Sequence, residues 1–369
     1  MAVLGGLSYD GVPITIPRIT RLPGQATAPV AGSWVFPGGL PSGITIPPVP
    51  AQAVATPAPE AATNDSAPIA ASPPDRSHIV TELRNPRSMS LHELSLRDVL
   101  AVINDEDQAV AAAVHKALPM IEGFVVELAP RFESGGRLIY IGAGSSGRLG
   151  VLDASECPPT FQLDPGRVIG IIAGGDGALR KSSEGKEDDP CGSHHDLAAL
   201  NLAPGDTLLG IAAGGTTPYV HGALRLARDR GCLTSLLTCT TLREPPACDH
   251  FLTIETGPEV LTGSTRMKAG TATKLVLNMI STALMVRTGR VYENLMVDLR
   301  ASNDKLRDRA ARIISHLTGL ERQPALELLD AAGGLVKVAI VMHRRSLSAT
   351  AAVQLLDSRR GRLDAVLSH

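Results

Sequence analysis

Gly142-Ala143-Gly144-Ser145-Ser146-Gly147-Arg148-Leu149-Gly150 is the stretch that decides the fold. It follows Arg137-Leu138-Ile139-Tyr140-Ile141, a run with the apolar, β-branched content of a buried strand. It precedes Leu149-Gly150-Val151-Leu152, where an apolar helical pattern begins. The order is therefore strand, glycine-rich turn, helix. At such a turn glycine lets the backbone come close to a ligand, and the free N–H groups and positive dipole end of a helix start favour an anion. A phosphate is the expected ligand.

The same residues satisfy G-x-G-x-x-G, so a dinucleotide fold is the alternative. That fingerprint calls for a carboxylate about 20 residues on, at the end of the second strand. Here Val168 to Ala173 reads as that strand. Asp176 comes late for the role, and Asp164, better spaced, lies before the strand. Two adjacent hydroxyls, Ser145 and Ser146, suit the free oxygens of a phosphate monoester better than a pyrophosphate, which favours a sugar phosphate.

Outward from this turn, strand-like and helix-like runs alternate, the pattern of a doubly wound parallel α/β sheet with helices on both faces. Five strands are expected near 137–142, 168–173, 207–213, 233–239 and 250–255, with a clear helix from Pro218 to Asp229. Ligands of such sheets bind beyond the carboxyl ends of the strands. The loops after the first, third and fifth strands share glycine, hydroxyl and helix-start chemistry. They are Gly144-Ser145-Ser146, then Gly214-Gly215-Thr216-Thr217, then Gly263-Ser264-Thr265-Arg266-Met267-Lys268. Lys268 offers a point charge to the phosphate, or else is a surface lysine in the first turn of the long helix that follows.

The ends of the chain differ from this centre. Fourteen of the 27 prolines precede residue 75, among Gly, Ala, Ser and Thr, and that composition is expected to leave residues 1–78 disordered. Trp34, the only tryptophan, has no periodic context there. Residues 79–128 read as N-terminal helices from Leu96 to Leu128, broken near Asn104-Asp105, and 129–295 as the sheet domain. Residues 296–369 read as a small module of three or four helices, with stops at Gly319 and Gly333-Gly334 and with Arg344-Arg345 and Arg359-Arg360 as solvated surface.

A net charge of −2 gives no basic footprint for nucleic acid. No uninterrupted apolar run reaches the length of a span; Leu275 to Val286 reads as a buried helix, so no membrane is expected. Five cysteines, at 157, 191, 232, 239 and 248, are odd in number and lack a framework spacing, the usage of reduced cytoplasmic thiols.

Two acidic stretches remain: Asp153-Ala154-Ser155-Glu156-Cys157-Pro158-Pro159-Thr160, and Glu184-Gly185-Lys186-Glu187-Asp188-Asp189 after the second strand. On spacing alone each is as readily structural or solvated as catalytic. Together with Ile141 to Gly150, Gly263 to Thr271 and Asn294-Leu295-Met296-Val297-Asp298, they resemble the N-acetylmuramic acid 6-phosphate etherases, bacterial proteins of sugar isomerase (SIS) type. Thr81-Glu82-Leu83-Arg84-Asn85-Pro86 and Ile103 to Asp107 resemble the N-terminal motifs of that family. The likeness runs in unbroken order from about Thr81 to the C-terminus.

The resemblance implies a carbon–oxygen lyase that cleaves the D-lactyl ether of N-acetylmuramic acid 6-phosphate, giving N-acetylglucosamine 6-phosphate and D-lactate in cell-wall amino sugar recycling. Ring opening makes C1 an aldehyde, so the C2 proton becomes acidic and the lactyl oxygen on C3 becomes a β-leaving group. Elimination and then hydration need one acid and one base, with no redox cofactor and no metal. The resemblance places the acid at Glu156 and the C2 base at Glu187 and implies a homodimer, while the three strand-end loops give Gly144, Ser145, Ser146, Thr216, Thr217, Ser264, Thr265 and Lys268 as the expected substrate-binding set.

Glu156 lies ten residues past Ser146, a rise of about 15 Å in an unbroken helix. Either the helix ends before Cys157-Pro158-Pro159 and the chain folds back, or Glu156 serves a neighbouring subunit. One departure stands out: Gly214-Gly215-Thr216-Thr217 replaces the family's common Ser-Gly-Arg-Thr, so a hydroxyl and a guanidinium are missing. The competing readings are an aldose–ketose isomerase of the same fold and a non-catalytic sugar-phosphate-binding regulator akin to the glucokinase regulatory protein. The first would release no lactate, and the second would need neither glutamate.

Overall fold

The structure, a computed structural model, describes residues 75–368 except 302, and a short antiparallel ladder of Ser8–Tyr9 with Val12–Pro13. The expectation for the proline-rich segment, Trp34 included, lies outside the described residues for 1–74 apart from that ladder. The chain divides into units Met1–Ser72 and Pro73–His369, and the second carries the architecture that follows.

Five parallel strands form one sheet: β1 (Leu138–Gly142), β2 (Val168–Ile172), β3 (Thr207–Ile211), β4 (Leu233–Thr238) and β5 (His250–Thr253), in the order β2-β1-β3-β4-β5. This is the expected doubly wound sheet. The order in which successive strands are added reverses between β1 and β3, and the crevice of such folds opens at that switch point. In register, Gly142 at the end of β1 lies between Ile172 and Ile211.

Alternation along β1 divides the core. Leu138 and Tyr140 face one layer, which holds α1 (Leu96–Lys116), α2 (Leu118–Glu133), α3 (Gly144–Phe161) and α6 (Lys268–Arg287). Ile139 and Ile141 face the other, built on α4 (His194–Ala199) and α5 (Pro218–Asp229). Helix α6 is long and apolar enough to cross a membrane, yet half of it is buried inside the protein, where it packs against α1, α2 and α3. It is used as the central helix of its layer.

The break in the N-terminal helices falls at Ala117, not at Asn104-Asp105. Pro119 explains the position, since it has no N–H to donate and fits the first turn of α2. Asp105 and Glu106 stay helical because Arg87, on the arm before α1, reaches both at 3.1 and 3.0 Å. Glu106 also accepts from Asn85 Nδ2 at 2.8 Å and from Lys268 Nζ at 2.6 Å. One buried carboxylate thus joins the arm, α1 and the start of α6.

The C-terminal module has its own core. A hairpin of β6 (Val291–Tyr292) and β7 (Leu295–Met296) leads into α7 (Asp304–Thr318), α8 (Arg322–Ala331), α9 (Val336–Arg345) and α10 (Ala349–Ser358). Gly319 ends α7 at φ 77°, as the sequence implies. A fifth helix, α11 (Leu363–Leu367), exceeds the three or four expected; five residues are too few for a periodic signal. Arg345 is not free surface, because its Nε donates to the Val366 carbonyl at 3.0 Å and holds α11 in place.

Breaking a buried ion pair leaves the other charge uncompensated, so Glu106→Gln is expected to lower stability by about 3–5 kcal/mol at neutral pH. Burial pushes the Glu106 carboxyl up, but hydrogen bonds from Lys268 and Asn85 and the charges of Lys268 and Arg87 outweigh it, and it sits below its ordinary 4.5. This stabilisation is present above the unfolded value and is lost as pH falls through the lower folded one. Urea melts of the two proteins should therefore converge in acid; a gap independent of pH would contradict the assignment.

Candidate active site

The site starts from how closely α3 approaches the sheet. A Cβ on Gly147 would lie 2.6 Å from the Gly142 carbonyl oxygen, and one on Gly150 would lie 3.0 Å from Tyr140 Cβ. From the sheet side, a Cβ on Gly170 of β2 would lie 2.5 Å from Val151 Cα. The glycines at 147 and 150 therefore serve helix–sheet packing, and only Gly144 opens toward a ligand. Gly144 has φ 52° and nothing within 4 Å of an added Cβ. Ala143 caps α3 with no side-chain hydrogen bond, so the first-turn N–H groups face the crevice without a protein cap.

The loop after β3 turns through Gly215 at φ 70° with Gly215 N donating to Ala212 O at 2.8 Å. His221, one turn into α5, donates from Nε2 to the Gly215 carbonyl at 2.7 Å and fixes the loop from below. The loop after β5 is tied to the arm, with Gly263 N donating to Thr81 O at 3.2 Å. Thr81 is fully buried, and its hydroxyl lies 3.6 Å from where a Cβ on Gly214 would stand. The arm thus bridges the loops after β3 and β5. Six half-buried hydroxyls on the three loops make no hydrogen bond within the described chain: Ser145, Ser146, Thr216, Thr217, Ser264 and Thr265.

Lys268 does not join them. It is 3% exposed, and its ammonium is held by Glu106 at 2.6 Å, so its point charge faces inward. The reason is the capping of α6. Glu259 accepts from the backbone N–H groups of Lys268 and Ala269, both at 2.9 Å, which seats Lys268 in the buried first turn. Burial raises the Glu259 carboxyl above its ordinary value, and these two N–H bonds oppose that shift.

The two glutamates are placed very differently. The Glu187 carbonyl accepts from Tyr219 N at 3.0 Å, which sets Glu187 beside the start of α5 and next to Thr216-Thr217. Glu156 is exposed near the far end of α3, and the helix continues through Pro158 and Pro159 to Phe161. The fold-back considered from the sequence does not occur. Both prolines lie in the last turn, Gln162 closes the helix at φ 50°, and Arg290 donates to the Phe161 carbonyl at 2.9 Å. Within one chain Glu156 is therefore about 15 Å along the helix from Ser146.

Around Glu156, Asp153 accepts from Tyr140 Oη at 3.0 Å and from Ser281 Oγ at 3.2 Å, joining β1, α3 and α6. Burial pushes the Asp153 carboxyl up, opposed by those two bonds. No group of three or more His, Cys, Asp or Glu side chains with the arrangement of a metal site occurs among the described residues. Sequence reasoning missed Arg148, His221 and Thr81. The motif positions of Arg148 and Thr81 were the available signals; for His221 no local pattern exists.

Comparison with known proteins decides the family. The chain is 50% identical to "N-acetylmuramic acid 6-phosphate etherase 1" of Bacillus licheniformis over 79% of its own length and 96% of that protein. It is 51% identical to the protein of that name from Serratia proteamaculans over 79% of this chain and 98% of the relative. The chain belongs to the N-acetylmuramic acid 6-phosphate etherase family. Within this etherase-family chain, residues 120–228 also match the model of the glucokinase regulatory protein N-terminal SIS domain. Among solved structures, a phosphoheptose isomerase from Francisella tularensis aligns with a TM-score of 0.38 at 17% identity, covering 52% of this chain and 98% of that one.

For this etherase-family site, Ser145→Ala and Ser146→Ala are each expected to weaken binding of a sugar 6-phosphate roughly tenfold, the scale of one hydrogen bond to a charged group. Melting temperatures should not move, because neither hydroxyl bonds to protein. Calorimetric titration showing unchanged affinity in both variants would remove phosphate from this loop.

Proposed function

We propose that this chain cleaves the D-lactyl ether of N-acetylmuramic acid 6-phosphate with water, yielding N-acetylglucosamine 6-phosphate and D-lactate in cell-wall amino sugar recycling. The observation that carries the reading is the set of six hydroxyls on the loops after β1, β3 and β5 that make no hydrogen bond within the described chain, with the Glu187 carbonyl tied to the start of α5 by Tyr219 N. The 6-phosphate is held by the α3 N-terminus with Ser145 and Ser146, and by Thr216, Thr217, Ser264 and Thr265. Gly144 leaves room for its approach. In the open-chain aldehyde Glu187 takes the C2 proton, and electrons move to expel the C3 oxygen. Glu156 protonates that oxygen as lactate leaves and then activates the water that adds at C3, while C2 regains a proton. No cofactor enters this balance.

Glu156 acts on the site of a second copy. Its exposure supports this, as does the apolar surface beside it: Leu152, one turn earlier on α3, is 50% exposed, and Met279 and Val286 on α6 are 37% and 46% exposed. A homodimer that covers this face would carry each Glu156 toward its neighbour's phosphate loop. The catalytic domain in this reading spans 129–295, supported by helices 79–128 and the module 296–369. A cytoplasmic location fits five free thiols. The regulator reading draws on the match to the glucokinase regulatory protein domain, and lactate release separates the two.

Glu156→Ala should abolish lactate release yet leave sugar-phosphate binding intact, and Glu187→Ala should abolish solvent-deuterium uptake at C2. If the glutamates meet across a dimer, mixing the two inactive variants and allowing subunits to exchange should restore about a quarter of wild-type turnover, since half the dimers would hold one intact site of two. No recovery after demonstrated exchange would place both glutamates in one chain, against this geometry.

A further inference from the structure

Arg148 lies in the phosphate-loop motif, where a guanidinium would ordinarily be read as a phosphate ligand. Its bonds point elsewhere. Nη2 donates to the Ala178 carbonyl at 2.7 Å and to the Lys181 carbonyl at 3.2 Å, and Nε donates to the Leu179 carbonyl at 3.3 Å. All three acceptors belong to the segment that leaves β2 and carries Glu187.

That segment has further ties along its length. It begins with two left-handed glycines, Gly174 at φ 87° and Gly175 at φ 65°, and passes through a short turn at Asp176–Leu179. Ser183 Oγ then donates to the Ala173 carbonyl at 3.0 Å, filling the space a side chain on Gly174 would take. The next tie is Tyr219 N to the Glu187 carbonyl. Beyond it, the Pro190 carbonyl sits where a Cβ on Gly222 would stand, so α5 is recessed to admit the chain. Among the ties that hold the segment carrying Glu187 are Tyr219 on one side and Ser183 with Arg148 on the other. Arg148 is the member of these ties that grows from the phosphate-binding helix itself.

We propose that Arg148 is a positioning residue that sets Glu187 against C2 by holding the Ala178–Lys181 carbonyls to the helix that binds the phosphate. A fork with several N–H donors can meet three carbonyls at once, which a lysine ammonium on a flexible stem cannot reproduce. Small displacements of a base from its near-attack position are costly to rate and leave ground-state binding alone. The inference rests on the reading of Glu187 as the C2 base.

The test is Arg148→Lys, which keeps the charge and loses the fork, beside Ser183→Ala, which loosens the same segment without changing any charge. Both should lower kcat and the rate of C2 deuterium uptake together, by about tenfold or more, with KM and the Kd for N-acetylglucosamine 6-phosphate unchanged. A tenfold weaker Kd with kcat preserved in Arg148→Lys would make Arg148 a phosphate ligand and overturn the proposal. Glu187→Gln in the same exchange assay separates the two layers. Retained exchange there refutes the base assignment itself, whereas lost exchange there with wild-type exchange in both other variants refutes only the positioning role.

Discussion

The contact on which the structure depends is the close approach of the α3 backbone to the sheet, where Gly147 meets the Gly142 backbone, Gly150 meets Tyr140 and Gly170 meets the Val151 backbone. No side chain fits between helix and sheet there. The helix axis is consequently fixed relative to the strand ends, and its uncapped N-terminus stands at the switch point between β1 and β3. The same contact fixes the other end. Because α3 runs unbroken to Phe161, Glu156 is carried away from the phosphate loop as surely as Ser145 is carried to it.

Two cations of the motifs, Lys268 and Arg148, are assigned to architecture. Lys268 is neutralised by Glu106, and Arg148 binds three carbonyls of the segment after β2. What remains for an anion at these loops is a helix start, a set of hydroxyls and the exposed Arg266. Beside Gly214 the arm comes close, with the Thr81 hydroxyl 3.6 Å from where a Cβ would stand.

The sheet was legible because its three central strands are buried on both faces and read as continuous apolar runs, with α5 between β3 and β4 announced by Pro218 and its spacing. The binding loops were legible because glycine and hydroxyl residues at strand ends have few other uses. Long-range pairings were not. Nothing near Lys268 in sequence reveals Glu106, 162 positions away, and a lysine in a first turn reads the same whether free or buried. The glycines of the motif were read as serving a ligand, although two of them serve packing, since both uses leave the same letter. The paired prolines suggested a break that a last-turn position tolerates, and the Ala117–Pro119 boundary was masked by apolar periodicity continuing across it.

Family membership and the roles proposed for the two glutamates lead to elimination followed by hydration. The chemistry leaves a mark at one atom. Incubation of the protein with N-acetylmuramic acid 6-phosphate in deuterium oxide, followed by proton NMR, tests it most directly. The account predicts D-lactate and N-acetylglucosamine 6-phosphate in equal amounts, the sugar bearing deuterium at C2. Absence of lactate, or lactate released with the original proton retained at C2, would contradict it.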